Sequence, residues 1–405
     1  MSSKINVHLL LLALVGSLLS LACQQETQPQ KASPPSTNPK EAAIIAGADY
    51  AVDVLLDKEG KSRCEYNIFT GEWQPYEEPW HTGQVIYALV EAYRHTGSER
   101  YLTAARKAGD WWKTLAIDSP PALKGMVQAI HGDDVGDFIV FATVSDGTAG
   151  LYRLSEATGD SSYAAVASRA AGWMLKHMCD LEVGLCYDNV DPETGEVMKD
   201  TANYYSWRPN TEGALFLDAF RFTGDSSFYH VFIRLSQSVV QRQDTSGLWM
   251  AFRPNRFKKG RFHPRFNLWY AEALIDAFEV TGDTTFLVAA RKTVDRYLQY
   301  LQSDGSFYRE NFLDGRIEKG SVTGSATAFI GLLAKRLHQH SAGNYQEVIA
   351  RCENWLLKNQ FPQTHPDPNL RGAFLNTWSR NKKGKQWLMQ RDIGTTFAIR
   401  FLTAE

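Results

Sequence analysis

Apolar residues recur at helical spacing in twelve segments, near residues 40–57, 83–95, 98–115, 146–157, 161–178, 211–222, 226–242, 268–280, 284–301, 325–338, 344–359 and 393–403. The segments alternate in character. Gly147 to Ala157 and Gly213 to Phe222 are rich in small residues and apolar nearly all round, as a helix buried on both sides reads. Segments such as 98–115 and 284–301 carry Arg and Lys along one stripe and read as an outer layer. Between an inner segment and the outer segment after it lies Thr-Gly-Asp or a close variant: Thr96-Gly97-Ser98, Thr158-Gly159-Asp160, Thr223-Gly224-Asp225 and Thr281-Gly282-Asp283. A weaker copy stands at Ala342-Gly343-Asn344. Gly supplies the left-handed residue past a helix end, and Asp or Ser caps the next helix. The repeat, about every 60 residues, therefore marks the tight turn of a helical hairpin. The first outer helix (40–57) lacks an inner partner and the last inner helix (393–403) lacks an outer one. They complete each other if the array closes. The pattern predicts an all-α fold, an (α/α)6 toroid over residues 40–405.

The connections are asymmetric. Turns from inner to outer helices take a few residues, whereas the returns 58–82, 116–145, 179–210, 243–267, 302–324 and 360–392 are well beyond the usual helix–helix connection. All six long loops gather on one face, at the N-termini of the inner helices. Loops on a rigid scaffold are the default place for a site, and converging helix N-termini favour an anionic ligand.

The ends and the composition narrow the picture. Residues 1–22 read as a lipoprotein signal peptide: a basic start at Lys4, an apolar run from Leu9 to Leu19, and Ser20-Leu21-Ala22-Cys23, which looks like a lipobox with Cys23 as the lipidated residue. The run is shorter than the roughly 20 apolar residues of a membrane span. Residues 23–39, rich in Gln, Ser, Thr and Pro, read as a disordered tether, and Gln24 suits an outer-membrane destination, periplasmic or surface-exposed. The only expected membrane contact is the lipid anchor. A formal net charge of −2 offers no electrostatic footprint for nucleic acid. Cys179 and Cys186 flank a glycine-containing turn and could pair. Cys64 and Cys352 have no evident partner, and no His stands beside them at ligand spacing, so neither a metal site nor a cofactor is expected.

The residues just before each inner helix carry the candidate chemistry. Trp80, Trp207 and Trp269 offer faces for sugar rings; His81, Arg208, His263, Arg265 and Asn267 offer groups for hydroxyls and carboxylates. The 253–265 loop adds Arg253, Arg256, Lys258, Lys259 and Arg261, a basic cluster on a nearly neutral chain. Together they suit a polysaccharide carrying acidic groups. Asp146 is a candidate acid, with helix capping as its structural alternative. Asp133, Asp134 and Asp137 form the densest carboxylate group, where neighbouring carboxylates can split their pKa values, or else a solvated turn or weak calcium site. Glu212 starts the third inner helix, with structural and catalytic readings both open. Asp188-Asn189-Val190-Asp191 reads as a turn.

At these residues the chain resembles the six-hairpin glycosidase superfamily, particularly the unsaturated glucuronyl and rhamnogalacturonyl hydrolases. Val144-Ser145-Asp146 with Gly150-Leu151-Tyr152-Arg153 through Thr158-Gly159-Asp160 is similar to that family's stretch bearing its catalytic aspartate. Ser206-Trp207-Arg208 through Thr223-Gly224 is similar to its Trp-x-Arg-Gly-Gln segment, and Thr323-Gly324-Ser325-Ala326-Thr327-Ala328 to its penultimate inner helix. Two departures stand out. Trp80-His81-Thr82-Gly83 lacks the carboxylate of the family's His-Asp pair, and Arg208-Pro209-Asn210-Thr211-Glu212 replaces Arg-Gly-Gln. The resemblance implies that Asp146 protonates C4 of an unsaturated uronate and then activates water. Arg208 and the His263/Arg265 group would hold the carboxylate, with Trp80 and Trp207 against the sugar. Direct hydrolysis would need two flanking carboxylates, for which Asp134 and Glu212 are candidates. A uronate lyase or C5-epimerase on the same toroid would use Tyr270 or His263 as base. A non-catalytic glycan-binding lipoprotein is the third expectation.

Overall fold

A computed structural model describes residues 38–131, 137–199, 207–382 and 385–405. Each Thr-Gly-Asp copy sits where an apolar helix must end. Gly97, Gly159, Gly224 and Gly282 all take left-handed φ of 70–73°, each donating its N–H to the carbonyl four residues back. Asp160, Asp225 and Asp283 then accept the backbone N–H two residues on and open the following helix. Ser98 occupies the same position without a side-chain cap bond. At the fifth copy the left-handed residue is Ser341 (φ 56°), not Gly343, and the Asn344 side chain accepts from Gln346 N–H.

Twelve α-helices follow among the described residues, and their bounds match the apolar periodicity closely. The outer helices are α1 (Pro39–Tyr50, continued by a π-helical turn Ala51–Leu55), α3 (Glu99–Lys113), α5 (Ser161–Met178), α7 (Ser226–Gln241), α9 (Thr284–Leu298) and α11 (Gln346–Lys358). The inner helices are α2 (Glu78–Thr96), α4 (Phe141–Thr158), α6 (Leu215–Thr223), α8 (Phe266–Thr281), α10 (Gly324–Gln339) and α12 (Ile393–Thr403). α12 packs on α10, on α2 and on α1, which closes the array into the (α/α)6 toroid.

The small residues of the inner helices have a steric cause. A Cβ on Gly83 would lie 1.8 Å from the Gly147 carbonyl oxygen, so α2 and α4 approach backbone to backbone. Gly213 (φ 71°) holds the segment before α6 equally close, since its Cβ would fall 2.5 Å from Asp146 Cα.

Three helix starts differ from expectation. α2 opens at Glu78, five residues early, with Pro79 in its first turn. α4 begins at Phe141, five residues early, because its first amide is capped from afar: Phe141 N–H donates to the Asp188 carbonyl at 2.7 Å. Asp146 therefore stands in the second turn and is no N-cap. Glu212 lies in a 3-10 turn (Glu212–Ala214) outside α6, whose start is delayed by the left-handed Gly213 and Ala214.

The long returns also hold short antiparallel strands that periodicity did not reveal, most being only two to three residues long. Glu65–Asn67 pairs with Glu72–Gln74 on one side and Lys385–Arg391 on the other, and Thr377–Lys382 completes this four-stranded sheet beyond Lys385–Arg391. The strands Arg261–Phe262, Tyr308–Phe312 and Ile317–Val322 form a second sheet. The strands Cys179–Asp180, Leu185–Tyr187 and Trp207–Arg208 form a third, in which Cys179 and Cys186 face each other and are disulfide-bonded. Cys64 and Cys352 are buried free thiols. The Cys23 region and the Asp133–Asp134 pair lie outside the described residues.

Candidate active site

On the long-loop face opens a cavity of about 1100 Å³. Among the acids of its wall is Asp146, buried on α4. Trp80, in the first turn of α2, donates its indole N–H to Asp146 Oδ2 at 2.5 Å, and Gln84 donates to the Asp146 carbonyl at 2.9 Å. Oδ1 has no protein partner among the described residues and its residue lines the cavity. Burial pushes the Asp146 carboxyl up to about 7, aided by the charges of Glu272 and Glu212 and opposed by Arg400 and the Trp80 bond. Glu272 and Arg400 pair at 2.7 Å, and Arg400 also reaches Gln84 at 3.4 Å. A carboxylic acid poised near neutrality can give a proton and take one back.

A second group of side chains is cationic. Arg265 donates to Ser325 Oγ at 2.9 Å and has no carboxylate partner among the described residues. Burial together with Arg391 and Arg309 pushes its guanidinium down to about 9, with the Glu77 charge opposing part of the shift. Arg309 pairs with Glu310 at 3.7 Å and lies 5.4 Å from the Trp378 ring centroid. Arg391 is tied to Glu65 at 2.5 Å and lies 4.8 Å from the Tyr76 ring centroid. These three arginines line one cavity, so an entering carboxylate would find several unused guanidinium donors. Contacts link them to the acid: Trp80 meets Trp269 at 6.0 Å between centroids, and Arg265 lies 5.7 Å from the Trp269 ring. Glu77 lines the cavity too, in ion-pair contact with His131, and holds a left-handed φ of 41°. Neither Glu77 nor His131 announced itself in the sequence, because their pairing spans two loops.

Asp146, Trp80, Trp269, His263, Arg265, Arg208 and Glu212 all reach the cavity wall. Several expected roles nevertheless change. Arg208 is buried and already satisfied, donating from Nε to Asp188 at 2.7 Å and from Nη1 to Glu212. It was expected to hold a substrate carboxylate, but two protein carboxylates occupy it. Glu212 pairs with Arg208 through Oε1, while its buried Oε2 has no hydrogen-bond partner among the described residues. Asp188, read as a turn residue, is its third member; the turn belongs to Asp191, whose Oδ1 accepts from Glu193 and Thr194 amides. Tyr270 is fully buried, faces the Arg208 cluster and is not on the cavity wall; burial holds its hydroxyl far above the ordinary range. It is no base for this cavity. Trp207 stacks on Tyr187 at 5.9 Å instead of lining the cavity.

The two histidines are fixed by their partners. His81 is completely buried, with Nδ1 at 2.5 Å from Asp392 and Nε2 at 3.3 Å from Arg391 Nη2. Arginine only donates, so Nε2 accepts and Nδ1 carries the proton toward Asp392. His81 thus positions Arg391 rather than touching substrate, and Asp392, from the last return, supplies the carboxylate that the residue after His81 lacks. His263 Nδ1 accepts from the Arg265 and Phe266 amides at 3.2 and 3.0 Å, capping α8. Its proton is then on Nε2, and burial plus the surrounding arginines keep the ring neutral. Asn267 is buried and joins Trp249 N–H, Asn255 and Tyr297, anchoring the loop that carries His263. Among the described residues no group of three or more His, Cys, Asp or Glu is placed to hold a metal ion.

No family model and no curated protein matches the sequence. Solved structures do match along most of the chain. One is described as a possible member of the GH105 family from Klebsiella pneumoniae, 14% identical over 93% of this chain and 94% of that one, with TM-score 0.62. Another is an unsaturated glucuronyl hydrolase from Bacillus sp. GL1, responsible for glycosaminoglycan degradation, 12% identical over 90% and 96%, with TM-score 0.63. A third is cellobiose 2-epimerase from Bacillus thermoamylovorans, 12% identical over 89% and 98%, with TM-score 0.66. At such identities the likeness establishes the six-hairpin toroid; the reaction has to be argued from the cavity itself.

Proposed function

We propose that the chain is a carbohydrate-active enzyme that hydrates the C4–C5 double bond of an unsaturated uronate at the end of an acidic glycan. The observation that carries this reading is a buried carboxylic acid near neutral pKa sharing one cavity with three arginines, of which Arg265 has no carboxylate ion pair among the described residues. Arg265, Arg309 and Arg391 would take the uronate carboxylate. Asp146 gives its proton to C4, and positive charge develops at C5. The resulting carboxylate then removes a proton from water as the oxygen bonds to C5, which returns Asp146 to its acid form. The hemiketal so formed opens and releases the neighbouring sugar. One carboxyl group serves both steps, so the pairing of Glu212 with Arg208 does not disable the reaction.

A lyase or epimerase would need a base at C5. Tyr270 lies off the cavity, and His263 presents a protonated Nε2. Among the described residues, Tyr76 is the tyrosine on the cavity wall, beside Arg391, and it keeps that second reading specific. The ultraviolet absorbance of the conjugated uronate separates them. The hydratase consumes that absorbance when given an unsaturated disaccharide, whereas a lyase creates it from a saturated polymer. Growth of absorbance would overturn the assignment. We also propose that residues 1–22 are removed and Cys23 is lipidated, so Cys23→Ala abolishes incorporation of labelled palmitate in a bacterial host; retained label would refute the anchor.

A further inference from the structure

Asp146 faces more than the substrate cavity. Behind it lies a second cavity of about 50 Å³, and Asp146 and Trp269 belong to both walls. Inner helices from around the ring supply its charged lining: Arg153 of α4, Glu272 and Asp276 of α8, Arg336 of α10 and Arg400 of α12, with Tyr87 of α2. Most of these charges are matched away from Asp146. Arg153 pairs with Asp218 at 3.1 Å, and Arg336 with Asp276 at 2.7 Å and Glu279 at 2.8 Å. On the substrate side stand the Glu77–His131 pair, the Arg208 cluster with Asp188 and Glu212, neutral His263, and Arg265, Arg309 and Arg391.

Arg400 is different. Its Nη2 donates to Glu272 at 2.7 Å and its Nη1 to Gln84 at 3.4 Å, while Gln84 holds the Asp146 carbonyl. Its guanidinium carbon lies 4.2 Å from the Tyr87 ring centroid, and its Nε is buried with no hydrogen-bond partner among the described residues. A guanidinium beside a carboxyl group favours turning its fork onto it. Here Glu272 takes that fork, although it stands 128 residues from Arg400.

We infer that Glu272 is a positioning residue: by holding Arg400 it keeps a guanidinium off Asp146 and leaves the acid able to give its proton. The inference rests on the hydration reading above and adds the residue that sets its working pH. Burial is the main cause of the raised Asp146 carboxyl, with the Arg400 charge opposing it and the Glu272 and Glu212 charges supporting it. Glu272 thus acts twice, through its own charge and through the cation it engages. In Glu272→Gln the amide no longer holds Arg400 by charge. The second cavity then gives the guanidinium room to turn toward Asp146, and a carboxyl paired with arginine ionises more readily.

The test uses the full chain. It reads the pH dependence of kcat on an unsaturated uronate disaccharide. Separately, it titrates the Asp146 carboxyl in the ligand-free protein by difference infrared, the band being assigned by its loss in Asp146→Asn. In Glu272→Gln both midpoints fall by about one pH unit or more, and kcat near neutrality drops about fivefold and recovers in acid buffer. In Arg400→Gln both midpoints rise, because the cation is gone and Glu272 remains. Loosened packing has no reason to give opposite signs from the two halves of one ion pair, and either variant decides alone if the other fails to fold. A midpoint that stays in place or moves against the stated sign overturns the inference, as does a kcat lowered equally at every pH. If wild type turns over no unsaturated uronate, the hydration reading falls, and the infrared titration still decides whether Glu272 keeps Arg400 off Asp146.

Discussion

Asp146→Asn keeps the fold and loses turnover, with kcat reduced by about 10²–10⁴-fold, the range for a positioned acid or base. The amide can still accept the Trp80 indole N–H, so the geometry around it survives, but it can neither give nor recover a proton. In wild type the reactive form is the protonated one. Activity therefore falls as pH rises through about 7, where the buried carboxyl ionises. Stability follows the same titration. The folded value lies above the ordinary 3.8, so the contribution is fully present below that value and is lost as pH rises through about 7. Above it, the rise of roughly three units amounts to about 4 kcal/mol at most. The Asn variant escapes this cost and should unfold at a higher temperature than wild type in alkaline buffer, with little difference in acid. An Asn variant that retains wild-type activity, or a stability difference of the opposite sign, removes Asp146 from the mechanism.

Arg208→Met destabilises the protein by about 3–5 kcal/mol, because it strands two buried carboxylates without their cation. Asp188 and Glu212 are already raised by burial, with Arg208 acting to lower them. Without that charge both rise further, so the loss of stability grows as pH increases through their titration. Adding Asp188→Asn and Glu212→Gln to Arg208→Met should restore most of it, since apolar or neutral replacement of a whole buried ion cluster is often near neutral. Denaturant melts of the single and triple variants measure this. A single variant with unchanged stability but a raised KM would instead return Arg208 to the substrate-binding role its position before α6 suggested.

The contrast between Asp146 and Arg208 shows what was legible in the chain. Both stand beside inner helices, and the resemblance assigns both to the site. Asp146 suits the proposed role because its surroundings desolvate it, while Oδ1 has no protein partner among the described residues. Arg208 changes role because Asp188, twenty residues earlier and read as part of a turn, reaches it across paired strands. His81 and Asp392 stand 311 residues apart and meet only because the ring closes. No spacing rule connects such residues.

Local periodicity was enough for the twelve helices, the left-handed glycine turns and the gathering of six long returns on one face, because those depend on neighbours within a few residues. The basic 253–265 loop was also visible as a run of like charge. The start of α4, by contrast, depends on the Asp188 carbonyl, and the start of α6 on close packing against Asp146. Which carboxylates pair with Arg208 and which is poised, which histidine nitrogen holds a proton, and which arginine has no carboxylate ion pair among the described residues were decided only by the tertiary structure. Electrostatic energies in a buried cavity depend on distances between groups far apart in sequence and on their exclusion from water, and neither is encoded in any one segment of the chain.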